Sequence, residues 1–206
     1  MNIENCTCVF KILPGTRRFT SENFLAIARN GINTEYNPKR FHAIIMLIRH
    51  ANYKTTAALI FQSSKVVLTG VPRPEFALRM AWKVTRSIQK SYSAAKCKEV
   101  WAISVRCLKV TNIVGSFRCN NKLSIEQIYR HLKIQNKLKK MNKQIFYDPT
   151  IFPALRFKMM EEGYKAVSIL IYISGRVIMT GLKSEKQLDN LFYNFLIPLI
   201  NKFPRS

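Results

Sequence analysis

The chain is 206 residues long, 48% of its residues are hydrophobic, and 34 lysines and arginines outnumber 11 aspartates and glutamates, for a net charge of +23. The hydrophobic content supports a packed core and excludes disorder as the main state of the chain. The charge is self-repelling unless an anion offsets it, which favours nucleic-acid phosphates or an acidic membrane surface over a merely soluble basic protein.

The predicted elements of the first half begin with a short helix. Thr20 is placed to cap a helix that runs to Arg29. Strand-like runs follow at Arg40–Ile48, Thr55–Gln62 and Lys65–Thr69. The segment Arg73–Lys90 is predicted to be a long helix, and Ser91–Ala95 is predicted to connect the two halves.

The second half has the same order of elements. Ser124 and Gln127 have the capping-box pattern, which opens a short helix toward Gln135. The strand-like runs are Ile151–Met159, Ala166–Ile173 and Arg176–Thr180. Ser184 opens a long helix, which Pro198 is expected to kink or to end early. Two-residue hairpin turns are predicted at Ser63-Ser64 and Ser174-Gly175.

The two halves align with each other. Shifted by 111 residues, the segment 36–70 falls on 147–181 without a gap, and about a third of the 35 aligned positions are identical. Upstream of this segment the offset becomes 104, which pairs Thr7 with Thr111 and Thr20 with Ser124. The chain is therefore predicted to be a duplication, with its repeats at 1–95 and 96–206.

Membrane insertion and metal binding are both disfavoured. The most apolar stretch, 166–182, is shorter than a spanning helix, and the first ten residues lack the basic and apolar regions of a signal peptide. The five cysteines form no CxxC pair and have no histidine at metal spacing. Reduced thiols, no metal and no cofactor are therefore expected.

One side of the predicted sheet has the character of a binding surface. Leu59 and Phe61 share one side of a strand, and Val67 and Thr69 share one side of the next, because side chains alternate along a strand. Each half has too few helices to cover both sides, so one side is predicted to stay open. The alternative is a three-layer domain that buries both. An apolar sheet in a basic chain suits a widened minor groove flanked by phosphates, where aromatic rings can unstack a base step.

The paired motifs carry a resemblance to a known family. Residues 36–41, 59–61 and 67–70 are similar to the first repeat of the TATA-box-binding protein family, and residues 111–116, 147–153, 170–175 and 178–181 are similar to the second. The resemblance covers nearly the whole chain. It implies an α+β fold, a pseudo-twofold saddle of two repeats, each a curved antiparallel sheet with a short and a long helix on the convex side.

The resemblance also implies roles for individual residues. The implied intercalating rings are Phe41, Phe61, Phe152 and Tyr172. The implied groove contacts are Asn112, Val114, Thr69, Thr180, Leu59, Leu170, Val67, Ile178 and Pro153. The implied phosphate contacts are Lys39, Arg40, Lys65, Lys158, Arg176 and Lys183. The implied partner-binding residues are Arg73, Arg79, Lys83, Arg86, Lys90 and Asp148.

The implied function is that of a nuclear general transcription initiation factor without a cofactor. Its partners would be double-stranded DNA, bound in the minor groove at A/T-rich core promoters, together with general transcription factors IIA and IIB and TATA-binding-protein-associated factors. Membrane association is not expected.

Departures from the family pattern leave a second function open. The offset of 104 places Cys8 opposite Asn112, with Asn5 nearby as a substitute, and Tyr172 stands where the family has phenylalanine. Leu47 stands where the family has a basic residue. These differences suit a specialised paralogue with altered or lost TATA recognition that acts mainly through protein partners.

An enzyme is the third alternative. The three histidines lie in unrelated predicted elements, and the adjacent acids Glu161-Glu162 lie at a predicted hairpin tip. A phosphate-binding glycine loop is also missing from the sequence. Catalysis is therefore not expected.

Overall fold

The computed structural model describes residues 1–49, 55–96, 100–138, 144–159 and 167–204. The chain divides into two compact units: Asn5–Thr111, called the first unit, and Met1–Glu4 with Asn112–Ser206, called the second unit. The repeat boundary expected between residues 95 and 96 stays a prediction.

The first unit is an antiparallel sheet packed against two helices. In chain order its elements are β1 (Asn2–Lys11), α1 (Ser21–Asn30), β2 (Thr34–Glu35), β3 (Ala43–Ile48), β4 (Thr56–Phe61), β5 (Lys65–Val71) and α2 (Ala77–Ala94). The strands lie side by side in the order β2-β3-β4-β5-β1, so the first strand in the chain pairs with the last strand of the unit, β5.

The second unit repeats this arrangement. Its elements are β6 (Arg106–Arg118), which enters the unit at Asn112, α3 (Ile125–Leu138), β7 (Gln144–Asp148), β8 (Phe152–Met159), β9 (Val167–Tyr172), β10 (Arg176–Leu182), α4 (Glu185–Leu191) and α5 (Ile197–Asn201). The strands lie in the order β6-β10-β9-β8-β7. The two units therefore share one order of strands and helices.

Each core lies between one side of the sheet and the helices. In the first unit, alternate residues of β4 such as Ala58 and Ile60 are fully buried, and they face the buried side of α2 at Met80, Val84 and Ile88. The spacing of four residues places these three side chains on one face of the helix. Each large aliphatic side chain that is fully buried contributes about 1.5–3 kcal/mol.

Side-chain caps begin two of the helices where the sequence predicts them. The Thr20 hydroxyl accepts a hydrogen bond from the Asn23 amide at 3.2 Å, and the Ser184 hydroxyl accepts one from the Gln187 amide at 3.2 Å. The interruption expected at Pro198 is also present. A π-helical turn at Phe192–Leu196 precedes it, because proline cannot donate to the carbonyl four residues back.

Several predicted boundaries are wrong, among them the start of the long helix, which begins at Ala77 and not at Arg73. The segment Ser91–Ala95 is largely helical, because α2 continues through Ala94, with Ser91 and Tyr92 buried. Strand β3 begins at Ala43 and not at Arg40, because the amides of Arg40 and Phe41 both donate to the Asn37 carbonyl in a turn. Helix α3 continues past Gln135 to Leu138.

The two hairpin turns are three residues long, not two. Ser64 donates its amide to the Phe61 carbonyl, and Gly175 donates its amide to the Tyr172 carbonyl, both at 3.0 Å. Ser64 and Gly175 are the third loop residues and have φ of 65° and 80°. A type I turn followed by a left-handed residue is the usual three-residue hairpin, so one more residue enters each loop.

Candidate nucleic-acid interface

The side of each sheet that faces away from the core carries half-exposed, mostly apolar side chains. We call it the open face. In the first unit one row across the open face consists of Ile45, Leu59, Val67 and Val9, which are cross-strand partners in that order. In the second unit the equivalent row consists of Arg156, Leu170, Ile178 and Ser116. The predicted groove residues Leu59, Val67, Leu170 and Ile178 therefore do share a surface within each unit.

The four predicted intercalating rings form two equivalent pairs. Phe41 and Phe61 lie edge to face with ring centroids 6.2 Å apart, and Phe152 and Tyr172 lie with centroids 6.3 Å apart. Phe41 is 42% exposed, and the other three rings are partly exposed. Phe41 lies in the turn two residues before β3 and Phe152 is the first residue of β8, while Phe61 and Tyr172 end the hairpin partners β4 and β9. An aromatic pair with free edges at the end of a sheet has the shape of a wedge.

An asparagine stands beside a strand irregularity at the same place in each unit. Asn5 Oδ1 accepts a hydrogen bond from the Gly70 amide, and Asn112 Oδ1 accepts one from the Gly181 amide, each at 2.7 Å. Both glycines have positive φ, 77° and 97°, which is where the register of the adjacent strand pair shifts. Because the carboxamide oxygen faces the glycine amide, the NH₂ group of each asparagine is directed the other way.

This geometry corrects the predicted equivalence of Cys8 with Asn112. The strand registers relate β1 to β6 by an offset of 107, so the counterpart of Asn112 is Asn5, and Cys8 corresponds to Gly115. Cys8 is fully buried, and a side chain at Gly115 would meet Leu188 of α4 at 2.5 Å. The offset of 104 does hold for α1 and α3, so the link between strand and helix is three residues longer in the first unit.

The predicted phosphate contacts are all exposed, and two of them belong to pairs of like charge. Lys65 lies directly opposite Lys11, and Arg176 lies directly opposite Arg118, at equivalent positions of the two units. Like charges in direct cross-strand positions destabilise a sheet unless an anion lies nearby. Lys11 and Arg118 were not predicted from the sequence as phosphate contacts. The two residues align only at the offset of 107, which the strand pairing reveals.

The remaining predicted contacts occupy positions consistent with a surface role. Thr69, Thr180 and Val114 are partly exposed residues of the open face, and the Thr180 hydroxyl lies 3.4 Å from Asn112 Oδ1. Pro153 is exposed at the start of β8, next to Phe152. The exposed phosphate-contact candidates outside the like-charged pairs are Lys39, Arg40, Lys158 and Lys183. Their contacts with DNA stay predictions.

The predicted partner-binding residues fall in two places. Arg73 precedes α2 and is exposed, and the exposed side of α2 carries Arg79, Lys83, Arg86 and Lys90. Leu78 and Trp82 lie one turn apart on the same helix, 52% and 44% exposed. Asp148 lies at the end of β7 and accepts hydrogen bonds from the Thr150 hydroxyl at 2.6 Å and the Thr150 amide at 3.0 Å, which lower the pKa of its carboxyl.

The described residues show cysteines in the thiol form, no metal site and no membrane-spanning helix. Cys6, Cys8, Cys107 and Cys119 are in the thiol form. A hydrogen bond with Cys6 lowers the pKa of Cys8, and burial raises the pKa of Cys119. Within the described ranges, no group of three or more His, Cys, Asp or Glu side chains is arranged to hold a metal ion. None of the helices in this part of the chain is long and apolar enough to cross a membrane.

Comparison with known proteins identifies the same two-part organisation. The family model described as "Transcription factor TFIID (or TATA-binding protein, TBP)" matches residues 1–91 and 107–203. The chain is 34% identical to the TATA-box-binding protein of Dictyostelium discoideum over 90% of its length and 79% of that protein. It is also 34% identical to TATA-box-binding protein 1 of Arabidopsis thaliana, over 86% of its length and 77% of that protein.

A solved structure shares the fold. Methanococcus jannaschii TBP superposes with a TM-score of 0.66 over 98% of both chains at 24% sequence identity. This match and the two matched segments confirm the predicted fold class, α+β with two repeats of antiparallel sheet and helices. With a family model covering both repeats and relatives at 34% identity over most of its length, the chain belongs to the TATA-box-binding protein family, a family of DNA-binding transcription initiation factors.

Proposed function

We propose that this chain is a nuclear general transcription initiation factor that binds the minor groove at A/T-rich core promoters. It kinks the DNA by inserting the Phe41–Phe61 pair at one end of the site and the Phe152–Tyr172 pair at the other. The open faces then pack on the groove floor between the two kinks. The bent duplex nucleates assembly of the preinitiation complex.

The observation that carries the proposal is the equivalence of the two open faces. Each has a pair of aromatic rings with centroids about 6 Å apart, a central asparagine and a cross-strand row whose two middle residues are apolar. Unstacking a base step costs a few kcal/mol, which inserted rings and buried groove surface offset. The like-charged pairs Lys11–Lys65 and Arg118–Arg176 supply cations to the phosphates on either side.

The asparagines account for the expected preference for A/T pairs. In the minor groove both A·T and T·A present only acceptors, adenine N3 and thymine O2, whereas G·C adds the guanine amino donor. The carboxamide NH₂ groups of Asn5 and Asn112 are donors, and their oxygens are already engaged by Gly70 and Gly181. Such donors suit A/T pairs and are repelled by the guanine amino group.

The specialised paralogue with altered or lost TATA recognition is the weaker alternative. Two residues favour this alternative in the sequence, Cys8 and Tyr172. Cys8 faces the core, and Asn5 supplies the amide in its place. Tyr172 still favours the paralogue, because its hydroxyl loses hydration on entering a base stack.

A bending assay tests the proposal. A short duplex with a TATA element, labelled with a fluorescent donor and acceptor at its ends, should show a shortened end-to-end distance when the wild-type protein binds. A duplex of the same length with a G/C-rich centre is the control and should stay straight. An unbent TATA duplex at saturating protein would contradict the general factor and favour the paralogue.

The exposed side of α2 is the proposed partner surface. Arg79, Lys83 and Arg86 surround the exposed Leu78 and Trp82, which suits an acidic partner that also offers apolar side chains. We assign this surface to transcription factor IIA or a TATA-binding-protein-associated factor, and the end of β7 at Asp148 to transcription factor IIB.

Charge reversal separates partner binding from DNA binding. The double variant Arg79→Glu, Lys83→Glu should weaken binding of an acidic partner by about tenfold or more, since like charges repel at the interface. DNA bending should be little changed, because these residues lie on a helix and not on the open face. Pull-down of transcription factor IIA and of TATA-binding-protein-associated factors on a TATA duplex measures the effect; unchanged capture of both would contradict the assignment.

A further inference from the structure

The outer corners of the two open faces differ in charge although they are structurally equivalent. In the first unit, Glu35 of β2 lies directly opposite Ile45 of β3, and Leu47 follows on the same side of β3. In the second unit, the equivalent residues, 111 positions later, are Phe146, Arg156 and Lys158. The first corner therefore carries one negative charge and the second two positive charges.

In the second unit, a contact between Arg156 and Phe146 holds these two side chains of the corner in place. The Arg156 guanidinium carbon lies 5.6 Å from the centre of the Phe146 ring, within the range of a cation–π interaction. Phe146 is 41% exposed on the edge strand β7, and Arg156 and Lys158 are exposed on β8. The aromatic ring therefore restricts the long arginine side chain while its guanidinium stays available to an anion.

We propose that Phe146, Arg156 and Lys158 form a phosphate clamp that only the second repeat has, so that the two repeats grip DNA unequally. This rests on the proposed DNA-binding function. Arg156 starts a row that continues through the groove candidates Leu170 and Ile178, so a groove packed on these residues places its bordering phosphates over β8. A guanidinium suits a phosphate because it donates two hydrogen bonds at once.

The functional consequence is a complex with one strong and one weak half. At the first corner, Glu35 repels phosphates and Ile45 and Leu47 give them no charge partner. The outer corner of the second half-site should therefore carry salt-dependent affinity that the corner of the first does not, and dissociation should start at the first corner. This asymmetry sets the direction in which the protein is seated on a DNA site of nearly symmetric sequence.

The test compares salt dependence in matched variants on the same TATA duplex. Each phosphate contact contributes about 0.9 to the slope of log K against log salt, so Arg156→Ala with Lys158→Ala should reduce the slope by about 2. The control, Ile45→Ala with Leu47→Ala at the equivalent first-unit positions, removes apolar groove contact and should lower affinity at every salt concentration, but it should leave the slope unchanged because neither side chain is charged. Circular dichroism checks that both proteins are folded.

DNA with neutral phosphate analogues shows which half of the site the proposed clamp contacts. Two duplexes carry methylphosphonates in place of the phosphates bordering one half of the site or the other. The Arg156, Lys158 double variant should bind as the wild type does on one of them and remain weaker on the other. An unchanged slope, or an equal effect on both duplexes, overturns the clamp while wild-type bending upholds the proposed function. Wild-type protein that neither binds nor bends the duplex overturns both.

Discussion

Replacing Phe61 with alanine should remove most of the DNA bend at one end of the site and shorten the lifetime of the complex by about 5- to 150-fold. Contacts between an aromatic side chain and a base are worth about 1–3 kcal/mol by alanine substitution, and 1.4 kcal/mol is a factor of ten. Phe61 is partly exposed at the end of β4, and its truncation also leaves Phe41 without its edge-to-face neighbour. The base step would then stay stacked. Fluorescence-monitored bending and competitor-chase dissociation measure the two effects.

Two matched variants show whether insertion, rather than loss of an aromatic surface, is responsible. Tyr193 is 65% exposed on the π-helical turn, away from the open face, and Tyr193→Ala should bend DNA as the wild type does. Tyr172→Phe removes the one hydroxyl among the four rings and should lengthen the lifetime of the complex, because no polar group then loses hydration in the stack. Normal bending by Phe61→Ala would show that the wedge assignment is wrong.

The fold could be predicted from the sequence because the two halves are duplicates that can be compared with each other. Strand β4 and strand β9 carry the same alternation 111 residues apart, so each half supports the assignment of the other. The open face followed from that alternation, and the burial of Ile60 with partial exposure of Leu59 and Phe61 agrees with it. Helix caps were equally predictable, since Thr20 and Ser184 satisfy amides that every helix start leaves unpaired.

What the sequence did not supply was register. The aligned identity Thr7–Thr111 and the similar pair Val9–Ile113 set β1 and β6 three residues out of step, and an odd shift moves every side chain to the other side of the sheet. Cys8 thereby seemed to face the groove. Only the cross-strand pairs with β5 and β10 fix the true offset of 107, because register depends on hydrogen bonds between distant segments. The charge difference between the two outer corners did not depend on this register, because Ile45 and Leu47 align with Arg156 and Lys158 at the offset of 111 already found in the sequence.

Changing Asn5 to aspartate should weaken specific DNA binding by about a hundredfold or more while leaving the fold intact. In the wild type, Asn5 Oδ1 accepts a hydrogen bond from the Gly70 amide at 2.7 Å. The aspartate carboxylate can accept the same bond, so the Gly70 amide at the irregularity between β1 and β5 keeps its partner. It offers no donor to adenine N3 or thymine O2, and its charge repels the groove and the phosphates. Loss of one base-edge hydrogen-bonding group costs about 1–3 kcal/mol, and the added repulsion raises this, so affinity should fall by a hundredfold or more (about 2.7 kcal/mol).

The matched control is Cys8→Ala, three residues along the same strand. Its thiol is fully buried beside Cys6, so the truncation should lower the free energy of unfolding by about 1 kcal/mol or more and leave DNA affinity unchanged at temperatures where the protein is folded. Thermal melts and titration of a labelled TATA duplex measure the two quantities separately. The opposite outcome, weak DNA binding by folded Cys8→Ala with normal binding by Asn5→Asp, would return Cys8 to the interface. In that case the first repeat would lack a central amide, and its contact with the groove would depend on apolar packing alone.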